Sequence, residues 1–288
     1  MSGSRPRPLI LRGTTFAWGS RTYLMGILNV TPDSFSGDGL LACGDPVAAA
    51  VEQARRMVAE GADLLDIGGQ STRPGHAPVT TADEIARVVP VVAAVRAALP
   101  AMPLSVDTAK AAVAEAALDA GADVLNDVTG TDPDAPLVAV AAARGVPLVV
   151  MHGRRGEAFT DVVGEVVADL VAALERAVQA GCDRASLIVD PGIGFGKTPE
   201  QNLALLRDLG RLQALGAPVL LGTSRKSTIG RVLDLPPDER LEGTLATTAL
   251  GIAAGADMVR VHDVAANLRA ARMADAIVRG WSDPDVAG

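Results

Sequence analysis

The chain has 288 residues, of which 49% are apolar and 2% aromatic, and its net charge at pH 7 is −8. This length and composition suit one large domain with a core of Val, Leu, Ile and Ala. The acidic balance, without a run of Lys or Arg longer than a pair, argues against nucleic acid or an anionic membrane as the main partner.

The N-terminal residues MSGSRPRP are basic, but no signal-peptide apolar region follows them, and no apolar stretch is long enough to span a bilayer. The two cysteines, Cys43 and Cys182, lack the spacing of a metal site, a redox pair or a disulfide framework. We therefore expect a soluble, cytoplasmic protein with reduced thiols and no membrane partner.

Three parts of the chain are distinguished by their sequence patterns. Residues 1–22 are predicted to form an N-terminal segment with a small β-hairpin, because two short apolar pieces flank Gly13 and a Gly19-Ser20 turn follows. Residues 23–281 are predicted to form one domain, since no linker divides them, and residues 282–288 to form a flexible tail. In a barrel, we expect such a hairpin to plug the bottom.

A regular alternation of apolar runs and Ala-rich segments fills the main domain. Strands are predicted at Tyr23–Asn29, Leu64–Gly68, Leu104–Asp107, Val124–Asp127, Val146–His152, Leu187–Asp190, Val219–Thr223 and Met258–His262. Helices are predicted at Pro46–Ala59, Ala82–Leu99, Lys110–Ala120, Pro136–Ala143, Val162–Ala180, Pro199–Leu209, Leu241–Ala254 and Asn267–Arg279. Eight such repeats predict a (β/α)8 TIM barrel, with a doubly wound open sheet as the alternative.

Polar residues end most of these strands. They are Asn29, Asp66 with Ser71 to Arg73, Asp107, Asn126 with Asp127, His152, Asp190, Ser224 to Lys226, and Arg260 with His262. Because TIM barrels carry their chemistry at the carboxyl ends of the strands, we expect these residues to form one site. The long connections Thr31–Asp45, Gly69–Thr81 and Ser227–Glu239 are candidate lids.

Asp107, Asn126 and Asp190 end the third, fourth and sixth predicted strands. A carboxylate accepts two parallel N–H bonds, so this group suggests recognition of a flat, nitrogen-rich heterocycle. The alternative is that each residue caps a helix N-terminus. Their common position favours a site.

Cationic residues at the other strand ends indicate an anionic ligand. Arg260 and His262 alternate on the last strand and face one way, and with Arg73 they are suited to gripping a diphosphate. Lys226 is suited to covering an aromatic ring or holding an anion, and a Schiff base is its rival role. We expect His76 and His152 to be structural.

Seven ordered motifs resemble the bacterial dihydropteroate synthase family over residues 23–279. They are NVTPDSFS at 29–36, GQSTRPG at 69–75, SVDT at 105–108, NDVTG at 126–130, DPGIGFGK at 190–197, GTSRKS at 222–227 and VRVHD at 259–263. The resemblance implies a pterinylmethyl transferase that condenses 6-hydroxymethyl-7,8-dihydropterin diphosphate with 4-aminobenzoate. Diphosphate is expected to leave first, and a pterin methylene cation to follow.

The resemblance also implies roles for individual residues. Catalysis is expected from Asp107, Asp190, Lys226, Arg260 and His262, and pterin binding from Asp107, Asn126, Val128, Met151, Asp190, Gly222 and Lys226. Diphosphate is expected at Asn29, Thr72, Arg73, Arg260 and His262, with Mg²⁺ at Asn29. The aminobenzoate site is expected to include Thr72, Arg73, Pro74, Phe195, Lys226 and Ser227, and a homodimer is expected through the last helices.

Three departures from the family pattern are visible, and three alternatives remain open. The first loop reads SFSGDGLLACGD, which displaces its acid, Asp38, by one residue; Gln70 replaces a common Glu, and Thr228 a bulky apolar residue.

The alternatives are a pterin-dependent methyltransferase domain, an inactive pterin-binding paralogue and an aldolase that uses Lys226. The SRK loop and the Arg260/His262 pair argue against the methyltransferase, which has no diphosphate to hold.

Overall fold

The computed structural model describes residues 6–30, 45–70, 79–132, 135–153 and 159–281. Its strands are β1 (Leu9–Leu11), β2 (Thr14–Phe16), β3 (Tyr23–Asn29), β4 (Leu64–Gly68), β5 (Leu104–Asp107), β6 (Val124–Asp127), β7 (Leu148–Met151), β8 (Leu187–Asp190), β9 (Leu220–Leu221) and β10 (Met258–Val261). Its helices are α1 (Pro46–Ala59), α2 (Thr81–Ala98), α3 (Ala111–Asp119), α4 (Leu137–Arg144), α5 (Val162–Gln179), α6 (Pro199–Arg207), α7 (Ser227–Leu233), α8 (Leu241–Ala253) and α9 (Val264–Arg279).

Eight parallel strands form the barrel, in the order β8-β7-β6-β5-β4-β3-β10-β9. The two edges meet through a parallel bridge between Val189 on β8 and Val219 just before β9. The strands are rich in Val, Leu and Ile because both of their faces are buried, one by the barrel interior and the other by the helices. The predicted (β/α)8 barrel is therefore confirmed, and the open sheet is not.

The N-terminal hairpin closes the end of the barrel opposite the strand tips. β1 and β2 pair in antiparallel register, with Leu9 opposite Phe16. Phe16 and Trp18 are buried and pack on Tyr23, Met25 and other inward-facing residues from the first halves of the strands. The Phe16 and Tyr23 ring centroids are 4.8 Å apart. Three of the chain's seven aromatic residues thus form the predicted plug.

Several predicted boundaries were wrong. β7 begins at Leu148, not Val146, because the Val146 N–H bonds to Ala141 O at the end of α4 and Pro147 has no N–H to donate. β9 is only two residues long. The predicted loop after it contains α7, whose first turn is closed by bonds from Ile229 and Gly230 N–H to Lys226 O.

α9 begins three residues earlier than predicted, at Val264, directly after the strand-end residues. Within the described ranges, no helix is both long and apolar enough to cross a membrane.

Candidate active site

The guanidinium of Arg260 lies at the centre of the polar barrel mouth. Its Nε donates to Asp66 Oδ2 at 2.6 Å and its Nη2 to Asp107 Oδ2 at 2.8 Å. These contacts join β10 to β4 and β5 across the barrel. Burial opposes the charge on Arg260, but Asp66 and Asp107 outweigh it, so the pKa of Arg260 is raised. Arg260 is therefore a permanent cation that balances two buried carboxylates.

Asp66 organises the centre of this mouth, a role that the sequence analysis did not assign. It is fully buried, and its Oδ2 also accepts a 2.9 Å bond from Asn126 Nδ2. Asp66 Oδ1 has no hydrogen-bond partner among the described residues. The signal in the sequence was a carboxylate inside an apolar strand, LLDIG, since a buried charge needs a partner.

Asp107 and Asp190 have unusual proton affinities. Burial raises the pKa of Asp107 to about 7 against the opposing effect of Arg260, and the carboxylates of Asp66 and Glu84 add to the rise. Burial also raises the pKa of Asp190, although Lys226 and the Gly192 N–H oppose it. Each carboxylate would gain from a ligand that donates N–H groups to it.

The DPGIGFGK loop after β8 is braced from inside by Lys197. Its Nζ donates to His152 O at 3.3 Å, Gly192 O at 3.1 Å and Phe195 O at 3.1 Å. Gly192 has a φ of +68°, and a Cβ there would lie 1.9 Å from His152 O, so only glycine fits. DPGIGFGK was recognised from the sequence only as a motif, and this role of Lys197 was not predicted.

Lys226 reaches back from the start of α7 towards Asp190. Its Nζ bonds to Ile193 O and lies 4.7 Å from the centroid of the Phe195 ring. Burial lowers the pKa of Lys226 to about 8, although the nearby Asp190 and Asp107 favour its charge. A cation over an aromatic ring fits the predicted role, and the lowered pKa is equally compatible with an amine nucleophile.

Gly222 lies between three of these residues. A Cβ at this position would lie 3.8 Å from Asp190 Oδ2, Lys226 Nζ and Arg260 Cβ. Any larger side chain would therefore project into the space that Asp190, Lys226 and Arg260 surround. The absence of a side chain at Gly222 leaves this space open.

The tips of β9 and β10 are joined by two contacts. His262 Nδ1 lies 2.9 Å from Ser224 Oγ, and Arg225 makes a bidentate ion pair with Asp263 at 3.1 and 2.6 Å. Arg225 has a φ of +57°, an uncommon conformation for a non-glycine residue, which its bonds to Asp263 and neighbouring groups maintain. Ser224 and Arg225 were predicted to lie in the site, but their pairings with His262 and Asp263 were not predicted.

A second unforeseen network lies beside Asp107. Lys110 Nζ donates to Glu84 Oε2 at 2.6 Å, Gln70 Oε1 at 2.9 Å and Val79 O at 2.7 Å. Thr108 Oγ1 donates to the other oxygen of the buried Glu84 at 2.7 Å. Lys110 thereby connects α2 with Gln70 and Val79, the residues on either side of segment 71–78.

The remaining predicted site residues divide into two groups. Met151 is buried, Val128, Phe195 and Asn29 are half-buried, and Ser227 is exposed; all lie at or just beyond strand ends. Thr72, Arg73, Pro74, His76, Asp38, Cys43 and the first lid from Thr31 lie outside the described residues.

His152 is separated from the central ion pairs. It is fully buried, its Nε2 lies 3.0 Å from Asp169 Oδ2, and burial, reinforced by Lys197, lowers its pKa to about 4. Its side chain therefore serves the packing between β7 and α5, which agrees with the structural role expected for it.

The assembled site interleaves carboxylates and cations, since Arg260 pairs with Asp66 and Asp107, and Lys226 lies near Asp190. Asp107, Asp190 and Asn126 offer acceptors to a planar ring, while Arg260, Lys226 and His262 can face an anion. Such preorganised charges can both orient a cationic heterocycle and stabilise a departing anionic group.

Comparison with known proteins agrees with this geometry. Residues 25–262 match the family described as pterin binding enzyme. A dihydropteroate synthase from Clostridium beijerinckii is 48% identical over 92% of the chain and 97% of the relative. The solved structure of the Xanthomonas albilineans dihydropteroate synthase with 4-aminobenzoic acid is 43% identical, with a TM-score of 0.87 over 94% of the chain and 98% of that structure.

A second structure of the Xanthomonas albilineans enzyme, in complex with 7,8-dihydropteroate, is also 43% identical to the chain. Its TM-score is 0.81 over 89% of the chain and 94% of that structure. The similarity therefore extends over nearly the whole barrel.

Proposed function

The chain belongs to the family of pterin-binding enzymes and has dihydropteroate synthase activity, and we propose that it works by a dissociative substitution. The reaction joins 6-hydroxymethyl-7,8-dihydropterin diphosphate and 4-aminobenzoate into 7,8-dihydropteroate and releases diphosphate. In the proposed mechanism the bond from the methylene carbon to the diphosphate oxygen breaks first. The aromatic amine then attacks the cation through its nitrogen lone pair and loses a proton.

The observation that carries this mechanism is the convergence of Asp107, Asp190, Lys226 and Arg260 at the barrel mouth. We assign the pterin ring to the space between these residues, with its N–H groups donating to Asp190 and Asn126. The two buried carboxylates would stabilise positive charge on the ring as the diphosphate leaves. No protein nucleophile is required, so the contribution of the chain is orientation, charge stabilisation and exclusion of water.

We assign the diphosphate to Asn29, Arg260 and His262, together with Thr72 and Arg73. Arg260 uses Nε and Nη2 for Asp66 and Asp107, which leaves Nη1 for an anion. The aminobenzoate is assigned to Phe195, Lys226 and Ser227, with Thr72, Arg73 and Pro74. Lys226 above Phe195 supports this placement, since one cation there borders both substrates.

Mg²⁺ is proposed as the cofactor that accompanies the diphosphate. Asn29 is half-buried at the end of β3, and its amide oxygen is a hard donor of the kind that Mg²⁺ prefers. The described residues contain no group of three His, Cys, Asp or Glu side chains able to hold a metal alone. This donor set fits an ion bound chiefly by phosphate oxygens. When bound, Mg²⁺ would offset the charge of the departing diphosphate.

One assay tests the proposed function. We expect diphosphate release when the chain is mixed with the pterin diphosphate, 4-aminobenzoate and Mg²⁺, and loss of release on chelation of the metal. Omission of 4-aminobenzoate should prevent formation of dihydropteroate. Pterin binding with release at the no-enzyme level would instead establish the inactive paralogue, and methyl transfer from methyltetrahydrofolate would establish the methyltransferase.

We also propose a homodimer through the last two helices. Leu250, Met273, Ile277 and Trp281 are 69%, 63%, 72% and 69% exposed, although all are large and apolar. They lie on α8, on α9 or directly after α9. Several large apolar side chains exposed on neighbouring elements commonly mark an interface. A second copy of the chain would bury these side chains symmetrically.

Light scattering after size-exclusion chromatography tests the dimer. The unmodified chain should have twice the mass of one chain, and Ile277→Asp should reduce it to a single chain by burying a charge in the interface. Ile10→Asp is the matched control, because Ile10 is 67% exposed on the N-terminal hairpin. A monomeric unmodified chain would refute the proposal.

A further inference from the structure

The Ser224 hydroxyl lies within hydrogen-bonding distance of two nitrogen atoms of His262. The ring Nδ1 is 2.9 Å from Ser224 Oγ, and the backbone N of His262 is 3.2 Å from the same oxygen. Ser224 is only 5% exposed, so its hydroxyl hydrogen has little access to water. This one residue of the β9 tip therefore fixes both the backbone and the ring at the β10 tip.

The number of hydrogens available decides the direction of these bonds. The backbone N–H of His262 can only donate, so Ser224 Oγ accepts from it. The single hydroxyl hydrogen then points to Nδ1. Within the described part of the chain, Nδ1 is the only acceptor that Ser224 Oγ contacts. If Nδ1 carried a hydrogen instead, the buried hydroxyl hydrogen would have no partner, which is unfavourable for a donor that is shielded from water.

We infer that Ser224 is a positioning residue that holds His262 as a neutral imidazole with its hydrogen on Nε2. An acceptor Nδ1 excludes both the other neutral tautomer and the imidazolium, because each has a hydrogen on Nδ1. Nε2–H is then a fixed donor. This inference rests on the proposed function only for the identity of the group that receives the bond.

Toward a departing diphosphate, this His262 acts as a hydrogen-bond donor and not as a general acid. A neutral imidazole that gave up its Nε2 hydrogen would become an imidazolate, which is too basic to form here. His262 would therefore stabilise the developing negative charge, and the diphosphate would leave without taking a proton from it. Such a donor strengthens as charge builds up on the leaving oxygen.

Nitrogen NMR of the protein labelled at histidine tests the tautomer directly. The chain has three histidines, His76, His152 and His262, so the signals can be assigned by single substitutions. We expect His262 to show a pyridine-type shift for Nδ1 and a pyrrole-type shift for Nε2. A pyrrole-type shift at Nδ1, or an imidazolium at neutral pH, would overturn the inference whatever activity the protein has.

Substitution tests the positioning role, with inorganic diphosphate and Mg²⁺ as the probe. Ser224→Ala should produce a mixture of tautomers and weaken diphosphate binding about 10- to 100-fold, by analogy with the loss of a partner that orients a metal-bound histidine. Ser224→Thr keeps the hydroxyl and should restore the shift and most of the affinity. Unchanged affinity in Ser224→Ala, with a folded protein, would overturn the role.

Thr223→Val serves as the matched control. Thr223 is buried one residue earlier, and its Oγ1 pairs with Thr247 Oγ1 at 2.8 Å, away from His262. The Thr223→Val variant should leave both the nitrogen NMR shifts of His262 and the affinity for diphosphate unchanged. A loss equal to that of Ser224→Ala would mean that any hydroxyl removed from this tip has the same effect, which contradicts the inference.

Discussion

Replacing Arg260 by alanine is expected to lower kcat/KM by about a thousandfold or more and to destabilise the fold by about 3–5 kcal/mol. The reason is that Arg260 is the shared counter-charge of Asp66 and Asp107, whose carboxylates are fully or nearly fully buried. Without it, the two carboxylates would repel each other, and one would take up a proton. The variant therefore loses pterin binding together with diphosphate binding.

Arg260 was expected from the sequence to bind the diphosphate and not the pterin. Its ion pair with Asp107 makes pterin binding depend on it as well. The measurements are steady-state kinetics, pterin affinity and denaturant unfolding. If Arg260→Ala bound the pterin as tightly as the unmodified chain, Asp107 would not depend on Arg260, and the shared role would be wrong.

Arg96→Ala is the matched control. Arg96 Nη2 pairs with Asp123 Oδ2 at 2.6 Å, with both side chains mostly buried, but at the amino ends of the strands. This variant should lose comparable stability while keeping kcat/KM within a few-fold below its unfolding temperature. Equal loss of activity in both variants would show that the effect of Arg260 is only one of folding.

Replacing Lys226 by glutamine is expected to reduce kcat/KM on the order of a hundredfold and to change its pH dependence. In the unmodified chain, kcat/KM should rise with pH as Asp107 loses its proton near pH 7, and fall as Lys226 loses its charge near pH 8. The glutamine variant has no charge to lose, so its alkaline decline should disappear while the acidic limb remains.

Lys226→Arg separates the roles proposed for this residue. Arginine keeps a cation but cannot form a Schiff base, so it should retain part of the activity without the alkaline decline. A covalent adduct trapped by borohydride with a carbonyl substrate would instead establish the aldolase alternative. An alkaline decline that persists in Lys226→Gln at the same pH would assign it to another group.

The strand-end residues were predictable because position in a barrel follows from local pattern. Asp107, Asn126 and Asp190 each end a short apolar run, and parallel strands bring such ends to one face. The structure places them there. The hairpin plug was predictable because two short apolar pieces precede the first barrel strand, but its aromatic packing on Tyr23 was not predicted.

The pairings within the site were not predictable from the sequence. Arg260 and Asp66 are 194 positions apart, and no local pattern specifies which strand-end cation meets which carboxylate. The Lys110 and Glu84 pair was missed because the two residues fall in separate predicted helices, and no local pattern indicates that they meet. α7 was missed because it has only seven residues, which is too few for a clear helical pattern within the long connection Ser227–Glu239. The domain limits, the cytoplasmic location, Mg²⁺, the homodimer and the role assigned to each site residue stay predictions.

The junction between β8 and β9 carries the fewest bonds of the barrel. Val189 and Val219 form a single bridge there, whereas β3 and β4 pair over five positions. Asp190 and Lys226 stand on opposite sides of that junction, so local opening would separate them at small cost to the other strands. A pterin that contacts both Asp190 and Lys226 would hold β8 and β9 together. The amide hydrogens of Val189 and Leu221 would then exchange more slowly with solvent when the pterin is bound.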